Sequence, residues 1–384
     1  MSGEKTIAVS DVSGSPLRGR GGHRIIIAGG GTGGHIFPAI AIANALKKLD
    51  SRAEILFVGA KGKMEMEKVP QAGYEIKGLD IAGFNRSSLI KNIWLPFKLI
   101  KSFFQVRSIM NAFKPQAVVG VGGYSTFPVL RLAQAKGIPT FIHESNSFAG
   151  KANMMLGRGA TAVFVASGGM EKFFPKDKIS VVGNPVRPVI AKSGNIGKGE
   201  ALGFFGLEEG KPAVLVVGGS LGARSINEAV AEGLDALISA GLQVIWQTGK
   251  TDAAKWVGAA NGKKGIWVGD FITQMEQAYA AADVVISRAG AMAIAELGVV
   301  KKPVVFVPYP FAAEDHQTAN AMHLVNDHAA LLVADSEVKE NLLPTVIELA
   351  KDIIKQEELK SAIAKHGVVN ADEKIATAIL NVLN

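Results

Sequence analysis

The sequence contains no cysteine. That excludes a disulfide framework, a thiolate-held zinc or iron–sulfur centre, and catalysis by a thiol. It also fits a reducing compartment. No run of roughly 18 apolar residues is free of charge, so no membrane-spanning helix is expected. Residues 1–23 are polar and rich in Gly and Ser, and they lack the apolar stretch of a secretory signal. They read as a flexible tail. No Asp-x-Asp pair occurs, which argues against a diphosphate bridged by a metal ion. No His-x-x-x-His pair stands beside a Glu, so no zinc site of that kind is expected. Neither a metal nor a cofactor is called for.

What is present is ordinary for a folded protein: 384 residues, 48% hydrophobic and 20% charged. Disorder over most of the length is excluded, and the length suits two domains. Lys and Arg number 42 against 34 Asp and Glu, a net charge of +8. Such a surplus favours anionic partners: nucleic acid, anionic lipid or phosphorylated small molecules.

Short apolar runs alternate with helical periodicity along the chain. RIIIA at 24–28 precedes a Gly-rich turn and then IFPAIAIANALKKL, with apolar residues at helical spacing. EILFVG, QAVVGVGG, PTFIHE, TAVFVA and KISVVG continue the strand series. After Arg187 the rhythm breaks, and residues 191–212 read as a linker zone with the short apolar run GFFGL inside. PAVLVVGGSLGAR restarts it, followed by LQVIWQTG, GIWVGDF, ADVVISRAG, KPVVFVP and AALLVAD. Strands alternating with helices predict parallel sheets covered on both faces. Two similar openings, RIIIAGGGTGGH at 24–35 and AVLVVGGSLGAR at 213–224, predict two Rossmann-like domains. Ligands of such sheets bind beyond the carboxyl ends of the strands, so two facing sheets make a deep cleft.

Gly29, Gly31 and Gly34 fit G-x-G-x-x-G between a strand and a helix. A dinucleotide site needs an acid at the end of the second strand, and that strand ends at Gly59 without one. The nicotinamide reading therefore loses weight. What remains is a set of backbone N–H groups at a helix start, able to face an anion or a sugar, or simply a tight turn. Gly218–Gly222 is the counterpart in the second half; it lacks the Lys of a Walker A loop. Ser287–Glu296 is a third strand–turn–helix, whose small residues let a diphosphate approach the positive helix end.

These turns belong to a longer set. It comprises GGGTGGHIFPAIAIA at 29–43, GVGGYSTFP at 120–128, IHESNSFAGKAN at 142–153 and GNPVR at 183–187. It continues with GGSLGAR at 218–224, SRAGAMAIAE at 287–296 and EDHQTANA at 314–321. The set resembles the MurG family of bacterial N-acetylglucosaminyltransferases, and it spans residue 24 to about 325. The resemblance implies an α/β GT-B fold, two Rossmann-like domains with parallel sheets facing a central cleft. It implies UDP-N-acetylglucosamine as donor, a lipid-linked muramyl-pentapeptide acceptor, inversion at the anomeric carbon and a β-1,4 link, as a step of peptidoglycan synthesis. It places substrate contacts on Thr32, Gly33, Gly34, Asn146 and Arg187. In the second half it places them on Ser220, Ile272, Ala291, Met292, Ala293, Ile294, Ala295, Glu296 and Gln317. Family members often read HEQN where this chain has His143-Glu144-Ser145-Asn146, and GGSQGAR where it has Leu221. Some carry a second Gln where it has Thr318.

A sugar transfer needs a base for the acceptor hydroxyl. His35 suits by its ordinary pKa of ~6.5 and its place at the first turn; its other reading is a residue that orders the loop. Glu144, after PTFIH, is the alternative base or an orienting carboxylate. The leaving diphosphate falls to the helix start at Gly290–Ala291 and to Ser220. Arg187 and the backbone of Ile272 are expected to hold the uracil, and Glu296 the ribose or solvent.

Residues 84–113 carry two apolar stripes on one predicted helix: Ile93, Phe97, Ile100 and Phe104, and Leu95, Leu99, Phe103, Val106 and Met110. Lys91, Lys98, Lys101 and Gln105 share the polar side with Trp94. Basic residues beside Trp and Phe suit an anionic bilayer surface; the alternative is a core helix with a solvated Lys face. The expected division is a tail at 1–23, an acceptor- and membrane-side domain at 24–187, and a donor domain at 188–357. Residues 358–384 are expected to form a helix crossing back to the first domain. The expected place is the cytoplasmic face of the bacterial inner membrane, bound peripherally. The rivals are another GT-B lipid glycosyltransferase, a UDP-sugar 2-epimerase, and a non-catalytic sensor or nucleic-acid binder. The sequence shows no nucleic-acid module, so nucleic acid is not an expected partner.

Overall fold

The structure is a computed structural model, and it describes residues 22–83, 94–312 and 315–384. Most of the expected tail, residues 84–93 of the two-stripe region and Glu314 lie outside the described residues. The first sheet contains β1 (Arg24–Ala28), β2 (Glu54–Ala60), β3 (Glu75–Leu79), β4 (Ala117–Gly120), β5 (Thr140–Glu144), β6 (Ala162–Val165) and β7 (Ile179–Val181). Their order is β3-β2-β1-β4-β5-β6-β7, and every pair is parallel. The second sheet contains β8 (Ala213–Val217), β9 (Gln243–Gln247), β10 (Ile266–Gly269), β11 (Val284–Ser287), β12 (Val304–Phe306) and β13 (Leu331–Leu332). It runs β10-β9-β8-β11-β12-β13, again parallel throughout.

Continuous β-branched runs fit such sheets because both faces are covered. Ile25 and Ile27 of β1 pack with Ile36, Ala39 and Leu46 of the helix Gly33–Leu49. The alternate residues Ile26 and Ala28 meet Val106, Met110 and Leu130 on the other side. Each Ile, Leu, Val or Met side chain so buried contributes roughly 1.5–3 kcal/mol. In the second sheet Val214 and Val216 face Ile226 and Val230, while Leu215 faces Ala278 and Tyr279. Each strand order reverses at one place, between β1 and β4 and between β8 and β11. A crevice for ligands opens at that point in sheets of this kind. The turns after β1 and β8, with their glycines, stand there.

Two segments differ from a simple pair of beads. The stretch after Arg187 is not an extended linker. It forms the helices Pro188–Ala191 and Lys198–Phe204, and Ile190, Ala201, Leu202 and Phe205 are buried in the second domain's core. The apolar GFFGL run is therefore a packing element. At the other end, the helix Ala371–Leu383 lies against the helix Gly33–Leu49 of the first domain. Ile375, Ala376, Ile379 and Leu380 join the first sheet's core, and Lys48 Nζ donates to Glu373 Oε1 at 2.6 Å.

Among the described residues no helix is long and apolar enough to cross a membrane. The helix Leu95–Phe113 has Pro at its first turn and buries Ser102, Val106 and Met110. Leu99 and Phe103 of the same stripe are half-buried. The other stripe points out: Phe97, Ile100 and Phe104 are 64%, 56% and 69% exposed, with Trp94 beside them at 64%.

Candidate active site

The first Gly-rich turn is held from three directions. The Gly30 N–H donates to the Gly122 carbonyl at 3.1 Å. Gly123, at φ +92°, approaches so closely that an added Cβ would stand 2.3 Å from the Gly30 oxygen. Any other residue there would push the two loops apart. From beneath comes Glu65, which is 1% exposed. Its carboxylate accepts from the Gly31 N–H at 2.8 Å and the Ala60 N–H at 3.0 Å. Nothing in the sequence singled out Glu65. It follows β2 by five positions, beyond the strand end where a ribose-binding acid would stand, and it bonds the loop itself.

His35 enters from the first turn of the helix Gly33–Leu49 and is half-buried. Its Nδ1 lies 3.1 Å from the Gly30 carbonyl and 3.4 Å from Thr32 Oγ1. A carbonyl only accepts, so Nδ1 carries the hydrogen in the bond to Gly30. In the neutral ring that leaves a lone pair on Nε2. Nε2 faces the Gly122 turn, where an added Cβ would come within 2.8 Å of it. Burial pulls the His35 pKa below the usual imidazole value; the nearby Glu144 charge and the Gly30 bond oppose that, less strongly. Thr32 is exposed, and Gly33 and Gly34 open the helix without a side-chain cap. Their N–H groups therefore lack intrahelical acceptors.

Glu144, at the end of β5, is 3% exposed. It accepts from four donors: Asn146 N at 3.1 Å, Asn146 Nδ2 at 3.3 Å, Gly150 N at 3.1 Å and Asn153 Nδ2 at 2.8 Å. Such a carboxylate is saturated by the loop it braces. His143, on the opposite face of β5, is fully buried, and burial holds its pKa down to about 4.

The two domains meet along one seam. The Ser147 N–H donates to Asn320 Oδ1 at 2.8 Å, and Asn320 Nδ2 donates to Asn146 Oδ1 at 3.2 Å. Asn184 Nδ2 reaches the Ala291 carbonyl at 3.4 Å. Arg187 donates from Nε and Nη2 to Glu296 Oε1 at 3.1 and 3.0 Å. Glu296 Oε2 accepts from the Tyr279 hydroxyl at 3.1 Å. Burial, and then the Glu296 charge, push the Tyr279 phenol well above its ordinary pKa, so it stays a donor. Glu296 is thus no solvated helix carboxylate. Asn320 and Asn184 sit inside the quoted EDHQTANA and GNPVR motifs, yet only the seam reveals their partners.

In the second domain the turn after β8 is open. Ser220 is exposed, and Leu221 at its tip is 71% exposed. Gly222, at φ +82°, passes so near Thr248 that a Cβ would overlap its carbonyl. A cavity of 820 Å³ lies between this turn, Gly290 and Ala293, and the Tyr309–Phe311 corner, with Gln317 in its wall. Gln317 Oε1 accepts from the Tyr309 N–H at 2.9 Å. The helix Ala291–Val300 starts at Gly290 with no side-chain cap, so its first N–H groups point outward unpartnered by the helix. Ala291 to Ile294 are half-buried there; Ala295 and Glu296 are buried. Ile272 is buried, and its N–H already donates to Gln247 Oε1 at 3.0 Å. A nucleobase at Ile272 must use its carbonyl or displace the Gln247 amide.

The residues picked from the sequence are divided between several places. Ala293 and Gln317 line the cavity beside the turn after β8, whereas Ala291, Ile294 and Ala295 face the other side of their helix. Asn146 bonds Asn320 and Arg187 bonds Glu296 across the seam, while Thr32–His35 and Glu144 stay on the first domain and Ser220 on the open turn of the second. Ile272 is buried under Gln247.

The sequence matches the glycosyltransferase family 28 N-terminal domain over residues 25–165 and the glycosyltransferase family 28 C-terminal domain over residues 213–375. A protein of Phocaeicola vulgatus named UDP-N-acetylglucosamine–N-acetylmuramyl-(pentapeptide) pyrophosphoryl-undecaprenol N-acetylglucosamine transferase is 51% identical over 359 residues, 93% of this chain and 95% of that one. One of the same name from Parabacteroides distasonis is 51% identical over 86% of this chain and 90% of its own. The crystal structure of Acinetobacter baumannii MurG superposes with a TM-score of 0.74 at 30% identity, covering 94% of this chain and 99% of that one.

Proposed function

This chain belongs to glycosyltransferase family 28, and from that we propose that it moves N-acetylglucosamine from UDP-N-acetylglucosamine to undecaprenyl-diphosphoryl-N-acetylmuramyl-pentapeptide. It is a hexosyltransferase of peptidoglycan synthesis, inverting, with a β-1,4 product. The observation that carries this is identity of about half over nearly the whole chain with transferases of that name.

The residues suit the chemistry. His35 Nε2 takes the proton of the acceptor hydroxyl, whose oxygen forms a bond to the anomeric carbon as the bond to the diphosphate breaks. Lowering of the His35 pKa keeps the proton-accepting form dominant near neutrality. Of the two base candidates, Glu144 is the less suited, since four donors hold it; it positions the Asn146 loop. The departing UDP gathers charge at the uncapped start of the helix Ala291–Val300 and at Ser220. Arg187 and Ile272 hold the uracil, Glu296 the ribose. Asn146 and Gln317 face the sugar, and Thr32, Gly33 and Gly34 offer their N–H groups to the substrates. Residues 24–187 serve acceptor and membrane, and 188–357 the donor.

Incubation with labelled donor and a short-chain lipid-linked muramyl-pentapeptide tests this. Label should enter the lipid, with or without a chelator. No transfer by a sample that still binds UDP would overturn the acceptor. Turnover of donor without acceptor would favour an epimerase.

Peripheral binding at the cytoplasmic face of the inner membrane belongs to the same proposal. Its support is the exposed stripe of Trp94, Phe97, Ile100 and Phe104 with Lys98 alongside. Lys101 is less available, because it pairs with Asp80 at 2.8 Å. Replacing Phe97, Lys98 and Lys101 with Ser should weaken sedimentation with anionic vesicles and spare UDP binding. Unchanged sedimentation would defeat the membrane role.

A further inference from the structure

Behind the helix Ala291–Val300, away from the 820 Å³ cavity, lies a second cavity of 340 Å³. Ala291, Ile294 and Ala295 form one wall of it, so the first turns of that helix separate the two. Three potential metal ligands meet at its far side: His323, Asp327 and His366. His323 is in the last turn of the helix His316–Asn326, and Asp327, four positions on, stands at the helix's C-terminal cap. His366 comes from the short turn Ala364–His366. One ligand atom from each lies within 4.8 Å of the other two. His366 Nε2 is 3.3 Å from Asp327 Oδ2, and the two imidazoles stand edge to face at 5.4 Å.

The geometry points to a binding site for a single divalent transition-metal ion of the zinc class, held by His323, Asp327 and His366, that clamps the hinge between the domains. Two imidazoles and one carboxylate are a donor set favoured by such ions over calcium or magnesium. Bonds of about 2.0–2.2 Å to one ion bring ligand atoms closer together than 4.8 Å, a change within reach of side-chain rotation. The adjoining cavity leaves space for water to complete the coordination.

The place gives the ion something to act on. The helix that carries His323 and is capped by Asp327 also carries Asn320, which bonds Ser147 and Asn146 of the first domain. His366 is followed at once by residues 367–370, which lead into the helix Ala371–Leu383 packed on that domain. Val368 there packs against Gly183, at φ +84°, on the other chain crossing. An ion joining His366 to the end of the Asn320 helix therefore ties the returning chain to the helix that bonds the first domain. This site is separate from the transfer chemistry and needs no donor or acceptor to be measured.

The test is calorimetric titration of the full chain with zinc chloride after chelator treatment, with cobalt absorption as a second readout of the ligand field. One saturable equivalent is expected, together with a rise in melting temperature. Losing a ligand should weaken binding at least as much as losing a ligand's supporting bond, roughly 10- to 100-fold. His323→Ala and His366→Ala should each show that loss, and the zinc-dependent rise in melting temperature should vanish with it. His323→Gln and His366→Gln, melted without metal, separate loss of a ligand from loss of folding. Binding of unchanged affinity in both His variants that fold would overturn the site, as would no saturable binding to the parent. Saturable binding with no change in melting temperature would overturn the clamp.

Discussion

The turns after β1 and β8 occupy equivalent places in their sheets, at the strand-order reversal, and both rely on glycine. They are filled differently. The first is occupied by the chain's own groups: Glu65 from below, Gly122 and Gly123 from the side, and the His35 ring hung from the Gly30 carbonyl. The second is bare, with Ser220 and Leu221 exposed over a cavity. A buried carboxylate under a loop makes it a poor cradle for a diphosphate and a good mount for a base. An open turn beside an uncapped helix start suits the diphosphate. In the proposed mechanism one fold element, used twice, divides the reaction into a proton-accepting side and a charge-accepting side.

The sharpest way to break this comparison is His35→Ala. Loss of a general base costs typically 10²–10⁴-fold in rate, so kcat should fall by roughly that factor while UDP affinity, measured by calorimetry, holds. Equal loss of both would mean that the two turns are not separate in function. Glu296→Gln acts on the other side. It removes a charge-assisted bond worth about 1.5–3 kcal/mol from the Arg187 and Tyr279 contacts, so donor KM should rise roughly ten- to a hundredfold with little change in vesicle binding.

A third prediction concerns pH. His143 binds its proton near pH 4 when folded, against ~6.5 unfolded. Below 6.5 the unfolded chain takes up the proton first, so stability falls as pH drops from about 6.5 towards 4. Urea midpoints should show a loss of about 2 kcal/mol between roughly pH 7 and pH 5 from this group, and His143→Asn should flatten that part of the slope. A slope unchanged by the substitution would assign it elsewhere. The smallest effect belongs to Glu65→Gln. It keeps an acceptor for Gly31 or Ala60 but places an amide nitrogen against the other N–H, which should cost about 1–3 kcal/mol of stability. Calorimetry should also show sulfate or phosphate binding at the first turn once its charge is gone. Continued exclusion of anions there would mean that the carboxylate is not what distinguishes the two turns.

The sheets and the cleft were legible because they follow from local signals. Runs such as RIIIA and AVLVV are short, rich in β-branched residues and followed by Gly, which favours strands covered on both faces, and a Gly-rich turn before a helix marks the ligand end of such a sheet. The motif set also picked out Asn146, Arg187 and Glu296, whose side chains bond across the seam between the domains. What the sequence hid depends on distant partners. Glu65 carries no motif, and its role appears only when Gly30 and Ala60 are folded over it. Asn320 and Asn184 lie in quoted motifs, but their bonds join residues more than a hundred positions apart. His366 is far from His323 in the chain, so spacing rules that seek two His on one helix pass over them. The Gly, Lys, Ser and Pro of 191–212 suggest a linker zone leading into the second domain, while Phe205 and Leu207 of the GFFGL run are already part of that domain's core.

The helix Ala371–Leu383 has a consequence for synthesis. The first domain's strands leave the ribosome early, but Ile375, Ala376, Ile379 and Leu380, which complete the face of its core around Ile36 and Leu46, are made only after the whole second domain. Domains commonly fold as units in the order they emerge. Here the first to emerge must wait, with an apolar helix face uncovered, until residues 371–383 have followed it out. A fragment ending at Arg187 inherits that open face permanently, whereas the same fragment supplied with residues 371–384 as a separate peptide has the means to close it.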